Sequence, residues 1–394
     1  FSDAEEPEGR AGATAFLEDR SLSGDVALVV NFEAAGGSGP ALLAELSEPQ
    51  DWLIAELAAT GTGAAAFSAL TATVELMGDI GTDFDPFRNA GYPGFHFAYL
   101  RGSPIYHTPA DDVEAVGAGS LQHLGSLALG ISTHFGGLDL AAVPLSGHDV
   151  DVFKVGPRVV HYPAALTLLG TVITAAAWAT LMVIRRRNVQ PVIAVMAAAA
   201  RLGGLLIAAT VVGTLVWMGI GSTRSSPGVI ESYGYLVAIV CALTVAVGYF
   251  WRHGWRNPAN PPAAIGLWLG FAALAAAMPG VAYLFAWPAL FAAAVLLADA
   301  ARLRLSATAR LALVATPALV LVVPLIDSLF LFAQPRPGNP DSVMLFAVAA
   351  PLLLALLVVM MVASFWPVGR AADQPAPLPA QSVLNASLVS SNYR

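Results

Sequence analysis

Hydrophobic patterning divides the chain into two textures. Up to about residue 137 the apolar runs are short and broken by polar residues; beyond about residue 160 they lengthen toward twenty residues each. In the first part, residues 25–32 form a Val-rich apolar run that predicts a buried strand, and 95–100 predict a second. Helical spacing predicts helices over 12–19, 49–59 and 120–135, the last with Leu121, Leu124, Leu127 and Leu129 mostly on one face. Glycine-rich stretches at 36–39 and 61–63 predict loops. Residues 1–137 thus read as α/β, followed by a connector at 138–158.

Seven apolar stretches follow, at roughly 160–184, 203–221, 233–251, 263–278, 281–299, 311–333 and 343–366. Each is close to the ~20 residues that carry a helix across a bilayer, and only structures with a satisfied backbone survive at that depth. Pro279 and Gly280 separate the fourth and fifth, so one broken helix is an alternative there. Residues 159–366 are expected to form an all-α polytopic bundle of about seven helices, and the Pro-, Ala- and Ser-rich tail 367–394 a disordered segment.

Composition supports this division. The chain is 57% hydrophobic and 12% charged, against about 25% charged in a soluble domain, so much of it must be buried in lipid or in a very large core. Of 27 acidic residues, 22 lie between Asp3 and Asp151, whereas 13 of 19 basic residues lie beyond residue 180. Arginines cluster in alternate gaps, at Arg185, Arg186, Arg187 and Arg201, at Arg252 and Arg256, and at Arg302, Arg304 and Arg310. By the positive-inside rule those gaps face the cytoplasm, which puts residues 1–158 outside and the C-terminus inside. The acidic N-terminal part argues against nucleic acid as a partner. The single Cys241 leaves no disulfide framework or Cys-type zinc site. High Ala, Gly and Arg with one lysine, Lys154, suggests a GC-rich bacterial genome and hence a bacterial plasma membrane.

Three segments of the first part carry chemistry: Asp3 to Glu6 with its Glu5-Glu6 pair, Asn31-Phe32-Glu33 ending the Val-rich strand, and Tyr106-His107-Thr108 with Asp111. Adjacent carboxylates repel unless a cation holds them, and zinc accepts carboxylate oxygen and imidazole nitrogen. A neighbouring carboxylate can then act as general base on a metal-activated water. From the residues alone, a Glu-Glu pair is also a common solvated helix start, Glu33 a plain strand end, and a single loop histidine a structural residue.

The order of these segments, with Gly12 to Phe16, Val26 to Gly36, Thr82-Asp83-Phe84, Gly91 to Gly94, Phe97-Ala98 and Ser120 to Gly125, resembles the di-zinc aminopeptidase superfamily, which also holds glutaminyl cyclases. Within it the chain is most similar to the membrane-bound branch of endoplasmic reticulum metallopeptidase and vacuolar membrane protease. Val152-Phe153, His161 to Pro163 and Pro279 to Pro288 also look like that branch. The resemblance implies an α/β zinc-peptidase domain, a three-layer sheet with helices, followed by the transmembrane bundle. It implies Glu5 as general base, Glu6 and His107 on one zinc ion, and Glu33 on the other. It places Asp83 and Asp111 near the site in supporting roles and gives Tyr106 a possible hydrogen bond to the reacting carbonyl, a packing role serving it equally well. The family pattern has two further ligands before the Glu-Glu pair, a His in His-x-Asp and a bridging Asp; His148 and Asp151 come too late to supply them. The chain is therefore expected to begin partway through the catalytic domain, to bind zinc poorly alone, and to act on peptide or protein substrates only as the full gene product.

Two other readings stand beside this one. A non-catalytic peptidase-like binding domain on a transporter or scaffold would shift attention to Asp327, a charge inside the sixth span. A cyclase acting on N-terminal Gln would use a related scaffold. Asp299 is expected to pair with Arg302 and Arg304 near its span end, and Pro317, Pro324 and Pro351 to kink their helices.

Overall fold

The computed structural model describes residues 10–34, 36–76, 81–101, 105–106, 108–144, 146–186, 192–223, 260–277, 280–303 and 305–332. Its N-terminal part is a three-layer α/β unit. Strands β1 (Val29–Ala34), β2 (Leu42–Leu46) and β3 (Gly94–Tyr99) form one sheet in the order β1-β3-β2. β1 runs parallel to β3, and β2 runs antiparallel to it. The first strand starts four residues later than the apolar run of the sequence, at Val29.

Alternation along the strands gives the sheet two different faces. Val30, Phe32, Leu43, Phe95 and Phe97 pack against helices α3 (Gln50–Ala59) and α6 (Ala118–Phe135). Three stacked or edge-on ring contacts hold this side, including Phe32 on Phe97 with centroids 5.8 Å apart. On α6 the buried stripe is Ser120, Leu127, Ile131 and Phe135 with Leu124 beside it, while Leu121 and Leu129 are 59% and 70% exposed. The expected Leu face is thus rotated: spacings of three and four run through Leu124, Leu127, Ile131 and Phe135, and Leu121 and Leu129 fall off that line. The opposite sheet face carries Asn31, Glu33, His96, Ala98 and Leu42, covered by α4 (Ser68–Leu76) and α5 (Phe84–Asn89). Two short helices, α1 (Ala11–Glu18) and α2 (Arg20–Ser23), precede the sheet.

The segment between the α/β unit and the apolar helices is not a plain connector. Strands β4 (Val150–Val155) and β5 (Arg158–Pro163) form an antiparallel hairpin, turning at Gly156 with φ 58°. β5 runs into helix α7 (Ala164–Arg186), so the first apolar helix starts at residue 164 rather than 160. Beyond it come α8 (Val192–Thr223), α9 (Asn260–Ala275), α10 (Tyr283–Ala300) and α11 (Ala307–Phe332). Among the described residues, three stretches are long and apolar enough to cross a membrane: Ala164–Ile184, Tyr283–Ala300 and Thr308–Leu325. Ile193–Gly204 and Pro262–Ala275 are shorter apolar stretches. The stretches at 233–251 and 343–366, Pro351 and the tail lie outside the described residues. The fourth and fifth stretches are separate helices, α9 and α10, with Gly280 in the left-handed region between them at φ 83°. Asp299 pairs with Arg310, Nη1 to Oδ2 at 2.6 Å, across the turn to α11, rather than with Arg302; Arg304 lies outside the described residues. The two prolines Pro317 and Pro324 lie inside α11.

One hydrophobic cluster joins both parts. It runs from Leu42, Ala98 and Leu100 of the sheet through Ala65, Phe67, Ala69 and Leu70 into Trp268, Tyr283 and Leu321 of the apolar helices. A buried polar chain crosses the same junction. The Trp287 indole N–H donates to Tyr162 Oη at 2.5 Å, Tyr162 lies 3.1 Å from Thr167 Oγ1, and Thr167 donates to the buried Asp151 carboxylate. An indole only donates. Tyr162 therefore accepts from Trp287 and passes its own proton to Thr167, which leaves Asp151 as the acceptor end. Ser68 at the start of α4 exchanges two hydrogen bonds with the Val152 backbone, accepting its N–H at 3.0 Å and donating to its carbonyl at 3.3 Å.

Burial pushes the Asp151 carboxyl above its ordinary 3.8, outweighing the hydrogen bond from Thr167 and the nearby Tyr162 hydroxyl, with Asp149 adding to the rise. A carboxyl whose pKa is raised by folding contributes stability below its unfolded pKa and loses it as pH climbs through the raised value. Asp151→Asn keeps an acceptor for Thr167 and removes this titration. In thermal unfolding in detergent, the wild type should gain stability relative to the Asn variant as pH falls from about 7 to about 4. Parallel curves over that range would refute the assignment.

Candidate functional site

The polar residues of the sheet collect on one face and in one row. Asn31, His96 and Glu45 are register partners across β1, β3 and β2, with a bulge in β2 between Leu43 and Glu45. His96 and Glu45 are 1% and 2% exposed, so each must find its partners within the protein. The bulge shifts the side-chain alternation by one and brings Glu45 onto this face.

Asn31 links the row to Glu33. Its side-chain nitrogen donates to Glu33 Oε1 at 2.6 Å and lies 3.0 Å from His96 Nδ1. Burial, helped by the nearby Arg88, pushes His96 down to about 3. The ring is neutral at ordinary pH, and Nδ1 accepts the second Asn31 proton. Phe84 stacks on the ring with centroids 6.3 Å apart. At the other end of the row Arg88 of α5 ion-pairs with Glu45 and reaches Asp85 Oδ1 at 3.3 Å. Asp85 is fully buried; Arg10 donates to its Oδ2 at 2.6 Å, as do the Gly81 and Thr82 amides at 2.9 and 3.1 Å.

Glu33 itself is half-buried at the carboxyl end of β1. The loop after it is pinned from three sides. Ser38 pairs with Arg101, Gly117 N–H donates to the Gly37 carbonyl at 2.7 Å, and Gly39 N–H donates to Ser120 Oγ at 2.8 Å. Gly39 sits at φ 112°, and a Cβ on Gly37 would meet the Ala115 carbonyl at 2.6 Å, so both positions require glycine. The Ala41 N–H donates to His123 Nδ1 at 3.1 Å, and burial with the Lys154 charge keeps the His123 pKa low.

The other expected site residues fall as follows. Glu5, Glu6 and His107 lie outside the described residues. Asp83 stands half-buried at the N-cap of α5, one residue after Thr82, whose hydroxyl lies 3.5 Å from Glu45. Asp111 is exposed, its N–H bonded to the Thr108 carbonyl at 3.0 Å, and after burial its charge is the second cause that raises the Tyr99 phenol at the end of β3. Tyr106 is half-buried in the turn before it. Asp327 lies within helix α11. Sequence reasoning missed Asn31, His96, Glu45, Arg88 and Asp85 as a connected set. The signal available was the alternation Asn31–Glu33 on a strand otherwise apolar on its other face.

Among the described residues no three or more His, Cys, Asp or Glu groups are placed to hold a metal ion. Glu33 suits a ligand's role on one observation: the neutral Asn31 amide orients its carboxylate at the end of the strand. A cavity of about 640 Å³ lies elsewhere, at the amino ends of β1 and β3, lined by Leu17, Arg20, Tyr92, Pro93 and Leu140 among others.

Compared with known proteins, residues 1–132 match the model of peptidase family M28, about a third of the chain. The match supports the M28 peptidase superfamily and a metallopeptidase-type function for this part, and it covers every element of the sheet. No curated protein and no solved structure gave a match.

Removing Arg88 takes away the cation paired with Glu45, while Asp85 keeps Arg10. Arg88→Met should cost about 3–5 kcal/mol in chemical denaturation, the range for breaking a buried ion pair. The double variant Arg88→Met, Glu45→Met should recover part of that loss. Simple addition of the two single losses would show that the pair is not formed in solution.

Proposed function

We propose that the intact protein is a zinc-dependent exopeptidase of the aminopeptidase type, working on the outer side of a membrane. The observation that carries this reading is Glu33, a carboxylate oriented by Asn31 at the carboxyl end of a parallel strand, within the segment that matches peptidase family M28. Ligands of open parallel sheets gather at that end of the strands. Glu33 would hold one zinc ion, and Glu6 with His107 the other. When bound, zinc supplies Lewis-acid polarisation of the scissile carbonyl and makes a bound water more acidic. Glu5 takes the proton of the attacking water and hands it to the leaving amine as the C–N bond breaks. Tyr106 donates to the developing oxyanion, while Asp83 and Asp111 hold neighbouring groups in place. Three long apolar helices, read as membrane spans, support the anchoring.

The test uses the complete gene product in detergent with peptides bearing a free N-terminus. Hydrolysis should vanish on chelation and return with zinc. Glu5→Gln should lower kcat by about 10²–10⁴-fold, the usual weight of a general base, while keeping the metal content of the wild type. Glu33→Gln should instead lower the zinc bound per chain. A Glu5→Gln enzyme with unchanged kcat would refute the reading.

A further inference from the structure

The way the α/β unit is seated on the apolar helices determines which end of the sheet approaches them. Glu33, Ala98 and Leu42 share one register row across β1, β3 and β2. Ala98 and Leu42 belong to the cluster that continues into the apolar helices, as does Leu100 just beyond the end of β3. Leu42 pairs with Ala65, and three residues later Ser68 meets Gly280, whose added Cβ would lie 2.9 Å from the Ser68 carbonyl oxygen. The opposite end of the sheet, at Val26, Ala27 and Pro93, lines the separate cavity. The carboxyl end of β1 is therefore the end nearer the helices.

The distance follows from chain geometry. Two strand spacings of about 4.8 Å separate Glu33 from Leu42. The further path through Ala65 and Ser68 to Gly280, at ~3.5 Å per residue at most, bounds the separation at on the order of 20 Å. The joint at this level is stiff by construction. Tyr162 packs edge-on against Trp287 with centroids 5.8 Å apart, and Phe153 stacks on Tyr283 at 5.9 Å. The donor-only indole fixes the direction of the chain from Trp287 through Tyr162 and Thr167 to Asp151. Two residues of α10 and one of α7 are thereby tied to both strands of the hairpin.

We propose that this joint holds the peptidase-like unit at a fixed height on the bilayer, and that its substrates are chains anchored in the same membrane with a short free N-terminal end. The inference rests on the reading of function above and adds the substrate class. An anchored chain meets the site at an effective concentration set by the length between its anchor and its N-terminus. A span of ~20 Å is covered by about six extended residues. Shorter ends cannot reach, and longer ends lose the advantage as the chain explores more volume.

The experiment reconstitutes the complete gene product in phosphatidylcholine vesicles. The probes are one peptide sequence with a free N-terminus, either unanchored or carrying a C-terminal dialkyl lipid after spacers of about two, about six and about twenty residues. The middle spacer should lower KM on the order of 100-fold relative to the free peptide, with kcat little changed. The shortest should resist cleavage, and the longest should fall between. Trp287→Phe and Thr167→Val, both remote from Glu33, should flatten this dependence while hydrolysis of the free peptide stays at the wild-type rate.

Equal hydrolysis of free and anchored peptides would overturn the proposal. So would an advantage independent of spacer, because that reports concentration on the vesicle surface alone. A sharp optimum kept in both variants would overturn the part assigned to the joint. If neither free nor anchored peptide is cleaved, the exopeptidase reading itself fails and this inference falls with it.

Discussion

A sheet covered on both faces leaves its buried polar side chains no water, and the row Asn31–His96–Glu45 crosses such a sheet with His96 and Glu45 buried. Unpaired, each of these groups would cost on the order of 1–3 kcal/mol or more. That constraint dictates much of what surrounds the row. Glu45 needs a cation, and α5 supplies Arg88. Arg88 in turn draws in Asp85, which needs Arg10 and two backbone amides. His96 is left uncharged next to this cluster, so its Nδ1 can accept a proton from the donor-only amide nitrogen of Asn31. The second proton of that amide nitrogen then reaches Glu33. The orientation of Glu33, the described candidate for a metal ligand, is the far end of a satisfaction problem that begins two strands away.

The junction with the apolar helices solves the same problem differently. Asp151 is almost fully buried without a cation among the hydrogen bonds that reach it, and Thr167, Tyr162 and Trp287 form a one-way chain toward it. Such a chain gains from each member's polarisation of the next, and it fails at every link if one is lost. The hydrophobic cluster around it gives the junction its area, and the chain gives it a single geometry. Tyr162 is the hinge of this arrangement. Burial and the Asp151 charge hold its phenol well above the ordinary range, so it stays protonated and keeps donating.

How much of this was legible depends on the range of the interactions. The helices 11–18, 50–59 and 118–135 and the strands at 29–34 and 94–99 follow from local periodicity. Glu33 stood out because it ends a Val-rich run. The stripe of α6 was misread because four leucines draw the eye, whereas burial selects Leu124, Leu127, Ile131 and Phe135, and Ser120 with them. Ser120 and His123 were visible only as part of a resemblance; their use, accepting the Gly39 and Ala41 amides, depends on a loop some eighty residues away. Strand β2 was missed because its five residues carry Glu45 in a run too short for periodicity to decide. The hairpin at 150–163 was hidden by its position directly before a long apolar helix, where its own valines merge with the following run. Asp299 finds Arg310 rather than Arg302 because the turn places the next helix's first turn beside it, and Arg302 takes up a left-handed conformation there.

The polarity of the sheet links these points to function. Parallel strands deliver functional residues at their carboxyl ends, and here that end is the one continuous with the apolar helices. Had β1 and β3 run the other way, the same Asn31–Glu33 alternation would have put the carboxylate beside the cavity at Tyr92 and Pro93, on the side remote from the helices. The direction of two strands, set by the crossover between them, therefore decides whether the helices merely tether the α/β unit or form part of the surroundings in which its site works. Because the hairpin enters α7 without a break at Pro163, no flexible linker can undo that choice.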